Sequence, residues 1–235
     1  MTSGRLGRQL LRSLINGSDA VAVAVPLALH VAGRIQERDS EGFVLDPTQL
    51  ANAIRDLVEA VEPDGVPVTS PDILLSGCSG IGSLTTSEQL SVALEATRRL
   101  RSSLGDSVAL VAHLPGPSNL VAHFDTSEQE AAEAVTAIGK SLVSAGVDAV
   151  LINDEAEAAG ISLSTLSNIA RFHQSLVLGF HRQCYGLPAA TVVPFASPII
   201  GRGFTVTDGQ LPRSTDISEL RDWVLVVQGR REQLV

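Results

Sequence analysis

The chain is poor in cysteine, aromatic residues and positive charge. Its two cysteines, Cys78 and Cys184, stand far apart and in no Cys-x-x-Cys spacing. That excludes a disulfide framework and a zinc-finger pattern and points to a reducing, cytoplasmic setting. Aromatics make up 3% of the 235 residues against a 44% hydrophobic share, so the core must be built from Ala, Val, Leu and Ile. The net charge of −9 makes nucleic acid and anionic membrane poor partners. It leaves room for a local basic pocket that binds an acidic small molecule. No G-x-G-x-x-G and no GK[ST] occurs, so a nucleotide-binding sheet loses its usual support. The apolar run Ala20–Ala32 is about a dozen residues long and holds Pro26 and His30, whereas a membrane span needs about 20. The first residues are basic but have no apolar core of signal-peptide type.

What is present is a strand–helix alternation within one domain, residues 1–235. Residues 5–16 read as a short amphipathic helix stopped by Gly17. The uncharged AVAVAVP, 20–26, suits a strand covered on both faces. Further strands are read at 65–69, 107–113, 147–153, 190–196 and 203–209. Between them lie helices opened by Asp46-Pro47, at 87–104, at 127–145 and at 162–184, and a last one runs from Ser214 or Thr215 to Val227. GCSGIG, 77–82, reads as a flexible loop. Helical crossovers imply parallel pairing, and two α/β architectures compete, a (β/α) barrel and a doubly wound sheet.

Several segments, in order, resemble the uroporphyrinogen decarboxylase superfamily, which also holds corrinoid-linked methyltransferases and relatives of cobalamin-independent methionine synthase. They are PLALHVAGR (26–34), FVLDPTQLANAIRDLVEAVEPDGVPV (43–68), SPDILLSG (70–77), LPGPSNLVAHF (114–124), AGVDAVLINDEA (145–156) and VTDGQLPRSTDISELRDWV (206–224). The resemblance implies an α/β, TIM-barrel-like fold with its site at the C-terminal ends of the strands. Six strands fall short of the eight of a closed barrel. The match jumps after residue 198, as if about two βα units were missing, so the barrel is expected to be incomplete. An open parallel edge favours self-association or pairing with a related chain.

Asp72, in SPDIL, stands where the decarboxylases hold an aspartate against pyrrole N–H groups, a fixed anion beside a developing cation in a water-poor pocket. It reads equally as a turn cap. Arg34, in HVAGR, resembles a carboxylate-holding arginine, or is a surface arginine at a helix end. His30 replaces a second arginine of that motif and also suits plain packing. His123 replaces a tyrosine near the substrate and His113 ends the third strand. Either can move a proton near neutral pH, or simply bond to backbone or water. Gly116 allows close backbone approach and Asn119, with Ser118, offers helix-start N–H groups to an anion. Asp154 and Glu155 follow the fourth strand as a carboxylate pair suited to acid–base work, or as a turn cap and a solvated residue.

In the methyltransferase branch the resemblance implies a zinc held by His-x-Cys after the fifth strand and by a cysteine in the last strand-end motif. Phe195, Ser197 and Asp208 stand there instead, so neither zinc nor an organic cofactor is expected. Asp208 remains a candidate for substrate contact. Metal-free decarboxylation of a carboxylated, tetrapyrrole-like small molecule is the first expectation, with Asp72, Arg34 and His123 as the working residues. A corrinoid-dependent methyltransferase and a non-catalytic truncated subunit are the alternatives.

Overall fold

The computed structural model describes residues 6–17, 22–35, 42–154, 161–180 and 183–231. Seven short strands are all paired in parallel. One sheet has the order β2 (Gly65–Thr69), β3 (Ala109–Pro115), β4 (Ala149–Asn153), β5 (Leu176–Gly179). The other has the order β1 (Val23–Val25), β7 (Phe204–Thr207), β6 (Thr191–Val193).

The two sheets meet edge to edge at both ends. At the β1/β2 seam the Asp64 amide donates to Ala24 O at 3.1 Å and the Ala24 amide donates to the Asp64 carboxylate at 2.9 Å. At the β5/β6 seam Gly179 N donates to Pro188 O, and Ala190 N to Gly179 O, each at 2.8 Å. The strands therefore run in sequence order around one ring. Both seams are held by a few bonds rather than by a full ladder, and among the described residues the ring has seven strands against the eight of a complete barrel.

Alternation along the strands sorts the side chains. Val23, Val25, Ala109, Val111, Ala149, Leu151, Leu178, Phe204 and Val206 form one interior cluster drawn from both sheets. Ala24, Val66, Leu110, Ala112, Val150 and Ile152 face the helices. Both faces are dry, which is why these strands read as unbroken apolar runs. The ring is narrow: a Cβ on Gly65 would lie 2.9 Å from Val25 Cγ2 and 3.2 Å from Ala109 O. Helix α1 (Gly7–Ile15) adds Leu11 to the interior cluster at the N-terminal end of the strands. It is clamped there by Arg8, whose Nε donates to Asp148 Oδ1 at 2.7 Å while Nη1 reaches Asp106 at 2.8 Å. Arg101 holds the other Asp148 oxygen.

Around the ring lie α2 (Leu29–Ile35), α3 (Pro47–Val61), α4 (Pro71–Leu75), α5 (Ile81–Leu84), α6 (Glu88–Leu104), α7 (Pro117–Phe124), α8 (Glu128–Ala145), α9 (Ser164–Phe172) and α10 (Ile217–Val227). The expected starts hold. Asp46 accepts from Thr48 N and Gln49 N, and Ser127 forms a capping box with Glu130. The last helix is capped by Asp216 rather than by Ser214 or Thr215. The helix expected over 162–184 ends at Phe172, and β5 follows it. GCSGIG is not all loop, since α5 begins at Ile81. Among the described residues no helix covers the connections from β5 to β6 or from β6 to β7. The shortfall among the described residues is therefore one strand and the helices around β6.

Candidate active site

Helix α2 starts four residues after β1, and α4 starts two residues after β2. These neighbouring strand ends bring His30 and Asp72 together across 42 positions of sequence, with Nε2 and Oδ2 2.8 Å apart. Partial burial works against the Asp72 charge, but hydrogen bonding, from His30 above all, outweighs it and lowers its carboxyl to about 2. At neutral pH Asp72 is therefore a carboxylate that can only accept. The hydrogen of this contact lies on His30 Nε2, and in the neutral imidazole Nδ1 carries the lone pair. A carboxylate fixing the tautomer and orientation of an imidazole is the arrangement of a general base.

The pair opens onto a cleft of about 260 Å³. Val44, Leu45 and Ile73 form its apolar side, and Ser76 and Gln89 add neutral polar groups. Among the described residues no lysine or arginine lines it. Asp72 is not in a water-poor setting, since its side chain is 55% exposed.

A second cluster forms at the ends of β3 and β4. Asp154, 4% exposed, accepts from Ser118 N at 2.9 Å and from Asn119 N at 3.2 Å, and also receives the Tyr185 hydroxyl. Tyr185 OH also lies 3.1 Å from Ser118 Oγ. Asn119 Nδ2 donates to Asn153 O at 2.9 Å. The anion at the start of α7 is therefore the chain's own Asp154, in the place where the sequence suggested a ligand. Gly116 is needed for the same reason, because a Cβ there would run into the Asp154 side chain. Asp154 caps α7 from the neighbouring strand rather than the turn that follows it. Glu155 lies outside the described residues.

The other candidates stand apart from these two groups. Arg34 donates through Nη2 to Thr215 O at 2.6 Å and ties α2 to the approach of α10. His123 is exposed near the C-terminal end of α7, roughly 9 Å along the helix from its start, edge-on to Phe124 at 4.6 Å. His113 is 2% exposed and packs against Phe180 at a centroid distance of 5.3 Å. Asp208, at the end of β7, is exposed and accepts from Phe195 N at 3.2 Å, pinning the loop between β6 and β7. Tyr185 and Gln89 lie in no motif, and Ser76, though inside SPDILLSG, is not marked by it as a site residue. The one available signal was that Tyr185 is the sole tyrosine of the chain.

Among the described residues no three His, Cys, Asp or Glu side chains gather as a metal site. The positions that would supply a zinc's ligands by resemblance hold Phe195, Ser197 and Asp208, and Cys78 donates its thiol to Leu74 O at 3.3 Å. This donor set does not fit a thiolate-bound zinc. No helix among the described residues is long and apolar enough to cross a membrane.

Neither a sequence family nor a curated protein matches the chain. Its fold does match a solved structure described as a methyltransferase from Methanosarcina mazei, with a TM-score of 0.71 at 13% identity. The likeness covers 95% of this chain and 98% of the other, so the two share an α/β barrel-like fold almost end to end.

Proposed function

We propose that the chain is a methyltransferase-type barrel enzyme that holds a small methyl acceptor in the His30–Asp72 cleft and receives the methyl group from a corrinoid-carrying protein. The observation that carries this reading is the paired imidazole and carboxylate at the strand C-termini, in a fold shared along its length with a methyltransferase. A methyl acceptor must lose a proton to become or remain a nucleophile. His30 Nδ1 takes that proton, and Asp72 holds the ring in place and stabilises the imidazolium that forms. The methylated corrinoid supplies an electrophilic methyl group. No zinc-bound thiolate enters the scheme, because the ligand positions do not fit one.

Decarboxylation of a tetrapyrrole has weaker support. A cleft of about 260 Å³ is small for such a substrate, Asp72 is engaged by His30, and Arg34 is engaged by Thr215.

Incubation of the purified protein with methylcobalamin and a panel of small acceptors tests the proposal. The expected result is acceptor-dependent loss of the methyl–cobalt absorption, reduced about 100-fold or more in His30→Ala. No acceptor-dependent loss, or a variant equal to the wild type, would overturn it. Release of carbon dioxide from uroporphyrinogen would instead restore the decarboxylase reading.

A further inference from the structure

The chemistry of the cleft narrows the acceptor, on the assumption that methyl transfer is the reaction. We infer that the cleft takes a small primary or secondary alkylamine, bound as its ammonium ion.

Asp72 is the one carboxylate among the described lining residues, and no lysine or arginine among them offsets it. His30 engages Oδ2, and the side chain is still 55% exposed, so the carboxylate is open to a cationic head group. Ser76 and Gln89 add neutral hydrogen-bonding groups to the lining. The arginine that would hold a carboxylate, phosphate or sulfonate is committed to the Thr215 carbonyl. A chain of net charge −9 adds a long-range field that favours a cation over an anion. Val44, Leu45 and Ile73 suit an alkyl body, and the volume of about 260 Å³ lies below the usual range for drug-sized ligands, roughly 300–1,000 Å³.

An alkylamine uses every one of these features. Its ammonium pairs with Asp72, and one N–H proton leaves through solvent water to His30 Nδ1, on the ring edge turned away from the carboxylate, leaving a nitrogen lone pair. That pair forms the new N–C bond while the bond from the methyl carbon to its donor breaks, the electrons staying with the donor. The product carries the added methyl and one positive charge, and His30 returns the proton to solvent.

Binding is measured with no methyl donor present, so it separates the acceptor class from the reaction. Isobutylamine, isobutanol and isobutyrate share one alkyl body and differ only in head group. Each is titrated against the protein while the His30 ring resonance, identified by its loss in His30→Gln, is followed by NMR. The amine should shift that resonance and saturate it, and isobutyrate should bind about tenfold more weakly or not at all. Asp72→Asn should weaken the amine about tenfold and leave isobutanol unchanged. Added salt should weaken the amine alone, a check that needs no variant. Isobutyrate or isobutanol binding as well as the amine, or Asp72→Asn binding the amine like wild type, would overturn the inference. Amine binding without methyl transfer would defeat the methyltransferase reading and leave the cleft's preference standing. Methyl transfer to a thiol or a carboxylated acceptor, with no amine binding, would do the reverse.

Discussion

At the scale of single residues, Asp72 and Gly116 make the firmest predictions. The Asp72 carboxyl is lowered from 3.8 to about 2, so the stabilisation it brings is present above about pH 4 and is lost as the pH falls through about 2. Asp72→Asn should therefore melt below wild type near neutral pH, and the difference should shrink steadily between about pH 4 and pH 2. Because the side chain is more than half exposed, solvent screening holds the effect to about 1 kcal/mol. Gly116→Ala should destabilise the fold by about 1–3 kcal/mol, measured by urea unfolding, since the new methyl would collide with the buried Asp154. Both residues and their partners stand out in the sequence, but the pairings do not. In sequence His30 reads as a replaced arginine and Asp72 as a lone anion, and only the neighbouring strands β1 and β2 make them a pair. Gly116 was marked for a close approach, and the approaching group proved to be Asp154, 38 positions away.

Among the elements, α7 and α1 show how caps and plugs work across the fold. The N-terminal amides of α7 are satisfied by Asp154 from β4, so Asp154→Ala should cost about 2 kcal/mol or more by removing a buried, charged cap. Calorimetry of that variant should show the loss, and Tyr185→Phe, which spares the two amide bonds, should lose less. Leu11→Ala should open a cavity at the closed end of the ring and cost about 2–5 kcal/mol, again by urea unfolding. Elements with local signals were legible. Asp46-Pro47 and Ser127 with Glu130 mark helix starts by their own chemistry, and β2 lies where GVPVT placed it. The β5 strand was not legible. The segment from Leu163 to Leu178 is apolar at intervals, with no proline or glycine between α9 and β5, so periodicity carried the helix straight through the turn at His173–Gln174.

For the molecule as a whole, two sheets joined by thin seams raise the question of whether they unfold separately. Their inward residues form one cluster, so they should not. Far-UV circular dichroism and the fluorescence of the single, buried Trp223 should report the same midpoint in urea, and separated transitions would show that the seams divide the protein. The distribution of labour around the ring is uneven. Every described residue of the His30–Asp72 cleft falls between positions 30 and 89, within the first two strand–helix units, while the helix-free stretch from Pro194 to Gly203 lies far along the chain. That stretch is a natural place for insertion. Lengthening a surface loop twofold costs only about 0.6 kcal/mol of closure entropy. A laboratory could graft a reporter, an affinity tag or an eighth strand–helix unit there and leave the chemistry of the first two units untouched.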